Sequence, residues 1–131
     1  MWVFLNNAFL SIIASDRDKE SVIVRARFKG DLEATFGKRL KVYETPDRDY
    51  RFRAKIKRAT VAQRMAREVI GLTYGNFKSS VKDNGRHTDY LRVWTVMNAA
   101  QERRTPRPRA KGARGWFDGD EPEDTTGLPV R

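Results

Sequence analysis

Cysteine is absent from the 131 residues, and histidine occurs once, at His87. The first absence excludes disulfides, thiolate zinc sites and cysteine nucleophiles; the second excludes a histidine-rich metal centre. No apolar run approaches the roughly 20 residues that a membrane-spanning helix needs. The opening MWVFLNNAFLSIIA comes nearest, but Asn6-Asn7 divides it and no Lys or Arg precedes it. It reads as neither a signal peptide nor a span, and the expectation is a soluble, cytoplasmic protein without a membrane partner. No glycine-rich phosphate loop is present. Asp47-Arg48-Asp49, following Pro46, reads as a turn rather than a metal pair, and DGDEPED lacks the ligand spacing of a calcium loop. No metal or other cofactor is expected.

Positive charge is what the chain has in excess. Lys and Arg number 27 against 17 Asp and Glu, a formal net charge of +10. Between Arg17 and Arg67 lie 16 basic and seven acidic residues, so +9 of that charge belongs to this stretch. A field of this size favours an anionic partner, either nucleic acid or an acidic protein surface.

The apolar pattern supplies the elements. Asn6-Asn7 between Trp2–Leu5 and Ala8–Ala14 predicts a tight hairpin, since Asn tolerates the positive φ that such turns favour. Val22–Phe28 reads as a third strand, and Gly30-Asp31 as its stop and the cap of a short helix over Leu32–Phe36. KVYE reads as a fourth strand, TPDRD as a turn and YRFRAKIK as a fifth. The period then changes from two to about 3.6. Thr60 and Gln63 form a capping-box pattern ahead of the stripe Val61, Met65, Val69, with Gly71 as its stop. Tyr74, Phe77 and Val81 make a second stripe ended by Asn84-Gly85. Tyr90, Val93 or Trp94, Met97 and Ala100 make a third. Strands followed by helices imply an α+β fold, an antiparallel sheet of about four to five strands with helices packed on one face. The expected domain spans residues 1–102. Residues 103–131, with their prolines and opposed charges, are expected to form a flexible, disordered tail.

The candidate site follows from strand alternation, because successive side chains point to opposite faces. In YRFRAKIK, Tyr50, Phe52, Ala54 and Ile56 should face the helices, turning Arg51, Arg53, Lys55 and Lys57 outward. In the third strand Val24, Ala26 and Phe28 should face inward, leaving Arg25, Arg27 and Lys29 outside. If the two strands are neighbours, seven cations share a face whose rows contain no carboxylate. Like charges across strands repel, by tenths of a kcal/mol per pair. The face is read either as an anion-binding surface or as a solvated, Lys-rich guard against edge pairing. Four of the seven are arginine, which suits phosphate or carboxylate forks. With Tyr50 and Phe52 assigned to the buried side, a base-stacking platform is poorly supported, and contact with nucleic-acid backbone fits better.

Three functions are weighed. The main one is a non-enzymatic module that binds nucleic-acid backbone. The second is a protein-interaction factor that inhibits a host complex, for which Trp116 and Phe117 would be a partner-docking motif. The third is a toxin-like ribonuclease using Tyr50, Arg51, Arg53 and His87, with Glu44 as base. For His87, a helix-start role is preferred to catalysis. Trp94, Tyr74, Tyr90 and Phe77 are expected in the core.

The stretches MWVFLNNAFLSIIA, TPDRDYRFRAKI, YGNFKSSV and YLRVWTVM resemble a family of short, uncharacterised proteins of bacteria and their phages. Members open with Met-Trp and carry TP..DYRYR-like, Y.NFK..V and VW.VM motifs. The resemblance spans most of residues 1–97, with Phe52 where the family pattern has Tyr. It implies a phage or mobile-element origin and brings no catalytic residues.

Overall fold

The computed structural model describes residues 1–108 together with 126 and 127. Trp116 and Phe117 lie outside the described residues. The chain divides into two compact units, Met1–Trp94 and Thr95–Arg131.

The first unit is α+β. Five strands, β1 (Trp2–Leu5), β2 (Ala8–Ala14), β3 (Ser21–Ala26), β4 (Tyr43–Glu44) and β5 (Phe52–Lys57), form one antiparallel sheet in the order β1-β2-β3-β5-β4. Helices α1 (Asp31–Phe36) and α2 (Arg58–Ile70) pack on one face. The core there consists of Ala8, Leu10 and Ile12 of β2, Val22, Val24 and Ala26 of β3, and Ala54 and Ile56 of β5, closed by Leu32 and Val61. The even positions of β2, β3 and β5 thus point to the helices, as strand alternation requires.

Several ends are built differently from the sequence expectation. The β1–β2 hairpin turns at Asn6-Asn7, yet among the described residues only glycines have positive φ. The carbonyls flanking this turn, Leu5 and Ala8, are instead each 3.0 Å from the Tyr90 hydroxyl. β3 stops at Ala26 in a bend, so Phe28 is not a core residue but an exposed one. Asp31 does not cap α1. It occupies the first turn, and its carboxylate accepts the Phe9 N–H at 2.9 Å while Gly30, at φ 93°, precedes the helix. α2 begins before the Thr60–Gln63 box, directly from β5. The Arg58 N–H reaches the Glu20 carbonyl at 2.8 Å, and its guanidinium Nε reaches the Lys19 carbonyl at 2.6 Å. A loop carbonyl therefore meets one of the donors left unpaired at the helix start.

In α2, Val61 is buried and Met65 packs on the core, but Val69 is exposed. α3 (Phe77–Ser80) is a single turn capped by Asn76, whose side chain accepts the Ser79 N–H at 3.2 Å. Asn84-Gly85 does not end a helix but begins α4 (Asn84–Arg104). The Asp83 carboxylate accepts the Arg86 N–H at 2.7 Å, which starts the helix at that point.

The expected aromatic core is a smaller satellite cluster. Tyr90 is buried, stacked on Phe77 at 5.6 Å and edge-on to Phe4 at 5.2 Å, whereas Phe77 and Trp94 are half-buried and Tyr74 is exposed. Val93 is also exposed. α4 is tied to the rest of this unit by Arg86. Its guanidinium forks onto Asp31, Nη2 to Oδ1 at 2.6 Å and Nη1 to Oδ2 at 3.1 Å.

In the second unit, α4 continues through Arg104, into the stretch expected as tail, with Met97 exposed. Arg107 folds back, its Nη2 donating to the Asn98 Oδ1 at 3.2 Å and its Nε to Glu102. The Arg107 side chain, and then its backbone N–H, hold the Glu102 carboxyl below the ordinary range by hydrogen bonding to it. Among the described residues no helix is long and apolar enough to cross a membrane.

Candidate functional site

The face of the sheet opposite α1 and α2 carries the odd-numbered residues of β2, β3 and β5. β3 and β5 are neighbours, and their register sets Arg25 opposite Arg53, Ile23 opposite Lys55 and Ser21 opposite Lys57. Extending the first of these pairs outward gives one continuous row. Ser11 lies opposite Arg25, Trp2 opposite Ser11, and Tyr43 opposite Arg53. Trp2, Ser11, Arg25, Arg53 and Tyr43 therefore cross all five strands in a line, two arginines at the centre and one aromatic ring at each edge.

The seven expected cations do not form one uninterrupted set. Arg25, Arg53, Lys55 and Lys57 stand in β3 and β5 on this face. Arg27 and Lys29 follow the end of β3, and Arg51 sits in a bend before β5. Carboxylates missing from the rows arrive from loops and from the edge strand β4. Arg27 pairs with Asp49 at 2.9 Å and Arg51 with Glu44 at 2.8 Å. Asp18 lies 3.5 Å from Lys55 and 3.9 Å from Lys57, and Glu20 is 3.6 Å from Lys57. Hydrogen bonds from the Ser21 hydroxyl and the Glu20 N–H, followed by the two lysines, hold the Asp18 carboxyl down to about 2.

Arg25, Arg53 and, past the end of β3, Lys29 are the exceptions. None of the three has a carboxylate within ion-pair distance among the described residues, and only Arg25 and Arg53 stand within the strands. Arg25 donates through Nη2 to the buried Ser11 hydroxyl at 2.7 Å, and its buried Nε has no partner. Arg53 donates through Nε to the Tyr50 carbonyl at 3.3 Å. Partial burial, then the positive charges of Arg25 and Arg48, push the Arg53 guanidinium below its usual pKa, with Asp49 opposing. A guanidinium so shifted stays charged at neutral pH, so the repulsion persists.

Tyr50 corrects the expected alternation. Because residues 50 and 51 form a bend, it does not join Phe52, Ala54 and Ile56 against the helices. It is 3 % exposed and lies under both arginine side chains, with the Arg25 and Arg27 guanidinium carbons 4.4 and 4.2 Å from its ring centre. Such contacts fix the direction of the guanidinium planes.

The exposed rings of the face are Trp2 and Tyr43, at 67 % and 52 %. Neither was singled out from sequence. Finding them requires the strand order and register, although the two-residue loop at Asn6-Asn7 already implies Trp2 opposite Ser11. Of the residues weighed for ribonuclease chemistry, Glu44 is paired with Arg51 at 2.8 Å and the Arg53 Nε donates to the Tyr50 carbonyl, whereas the His87 Nδ1–H donates to the Lys78 carbonyl at 2.9 Å. Among the described residues no three His, Asp or Glu side chains converge to hold a metal ion. No protein family matches the chain, and neither does any curated protein or solved structure.

Proposed function

We propose that the protein binds the phosphate backbone of nucleic acid on the sheet face opposite α1 and α2, without catalysing a reaction. The observation that carries this reading is the Arg25–Arg53 pair. Two guanidiniums directly opposed across β3 and β5 lack a carboxylate, while Arg27, Arg51, Lys55 and Lys57 each have one. A solvated guard strand has no need of that difference, whereas a phosphate seated between the two would remove their repulsion and accept their donors. Lys55 and Lys57 flank the pair and share Asp18, so they extend the field more than they grip a ligand.

The test is binding of the full chain to labelled single- and double-stranded RNA and DNA over a salt series. Affinity should fall steeply with salt, and Arg25→Ala with Arg53→Ala should flatten the slope by about two, one per lost phosphate contact. Absence of binding to every nucleic acid at low salt would overturn the reading.

A second reading has its own support. Val69, Ile70 and Leu72, at the end of α2, are all exposed, and a nucleic-acid backbone has no use for them. They fit a protein-interaction factor that engages a host complex, the second of the functions weighed from sequence.

A further inference from the structure

Resting on the backbone-binding reading, we infer that the row is a platform for a short single-stranded oligonucleotide, whose bases stack on Trp2 and Tyr43 while its phosphates lie over Arg25 and Arg53. The order of side chains is the argument. Stacking surfaces stand at both edges of the sheet and the two unpaired guanidiniums stand between them, all in one register line. Four inter-strand spacings of about 4.8 Å set the edge positions about 19 Å apart, a span for a few extended nucleotides. Both rings are the exposed ones, and both are braced. Trp2 meets Phe9 edge-on with ring centres 6.1 Å apart, and the Lys41 ammonium sits 5.1 Å from the centre of Tyr43.

Tyr50 takes no part as a platform, since its ring is already covered by Arg25 and Arg27. Its effect is to hold the Arg25 guanidinium in place between the two edges. A duplex cannot use this arrangement, because its base faces are stacked on one another and only its phosphates are on offer. Aromatic rings on a basic sheet face serve unpaired bases, whose π-faces are open whatever the sequence.

The experiment compares four labelled ligands with equal numbers of phosphates per strand: oligo(dT), oligo(U), a duplex, and an abasic strand. At matched salt either single strand should bind at least tenfold more tightly than the abasic strand. Trp2→Ala and Tyr43→Ala should each weaken single-strand binding roughly 5- to 100-fold. Neither should alter binding of the abasic strand or the salt slope, because no charge is removed. Trp2→Phe should recover most of the loss, which separates stacking from a folding defect.

Equal affinity for abasic and normal strands, or indifference to both ring deletions, would overturn the platform. The backbone reading would then still stand if Arg25→Ala and Arg53→Ala weakened binding. Failure of all four ligands to bind would remove both.

Discussion

Replacing Asp31 by Ala should destabilise the protein far more than a single surface carboxylate would. Asp31 and Arg86 are among the least exposed charged side chains, at 4 % and 15 %, and they meet in a fork. Burial disfavours the Arg86 charge, but hydrogen bonds and attraction from Asp31, with Tyr90 adding to them, outweigh it and raise the guanidinium pKa. Deleting the carboxylate leaves that cation largely covered with no counter-charge, a situation that costs about 3–5 kcal/mol. It also strands the Phe9 N–H, which now donates to Asp31 Oδ2. Against the roughly 5–15 kcal/mol typical of a domain, the loss would be a large fraction. Urea unfolding followed by far-UV circular dichroism measures it. The double variant Asp31→Ala with Arg86→Met should recover much of the stability, since an apolar chain replaces the stranded charge. A cost below about 1 kcal/mol for Asp31→Ala at unchanged urea dependence would refute the argument, because the carboxylate would then be worth no more than an exposed ion pair.

Two further outcomes are expected. The Asp18 carboxyl should titrate at about 2 in a carbon-detected NMR titration. Its folded-state pKa lies below the unfolded value near 3.9, so its stabilising effect is complete above that value and disappears as pH falls from about 4 towards 2. A midpoint near 4 would mean that the β2–β3 loop does not hold this contact with Ser21 and the lysines. Tyr50→Ala should cost about 3 kcal/mol through lost burial and free both guanidiniums, whereas Tyr50→Phe, which keeps the ring, should cost no more than about 1 kcal/mol. Chemical denaturation of the two variants checks it, and equal losses would shift the weight from the ring to the hydroxyl.

The strands, their inward faces and the stretch that becomes α2 were legible in the sequence because period-two and period-3.6 patterns follow from local geometry alone. Ala54 and Ile56 turned inward and Arg53, Lys55 and Lys57 outward on that basis. Tyr50 continues the same alternation in sequence, but a backbone bend at 50–51 breaks it, and no residue type there announces the bend. The neutralising carboxylates were equally hidden. Asp18 is far along the chain from Lys55, and Asp49 from Arg27, so only folding brings them together. Arg25 and Arg53 could be named as candidates, but not distinguished from Arg27, Arg51, Lys55 and Lys57, until those pairings were known. The edge rings depend on still more. Trp2 and Tyr43 share a row only because β5 lies between β3 and β4, a strand order that sequence periodicity does not encode. At α4 the sequence signal pointed the wrong way, since Asn84-Gly85 resembles a stop until the Asp83 cap is seen.

The junction of β5 with α2 has a consequence for how this chain tolerates change in length. Lys57 ends the strand and Arg58 begins the helix, with no residue between them. An α-helix turns about 100° per residue. One inserted residue at this point would therefore swing Val61 and Met65 off the sheet by more than a quarter of a turn, and one deletion would swing them as far the other way. The stretch between Gly71 and Asn76, with no strand or helix of its own, can absorb such events. Length variation is thus expected on the far side of α2, while the step from strand to helix stays fixed, and with it the spacing between the cation row and the core behind it.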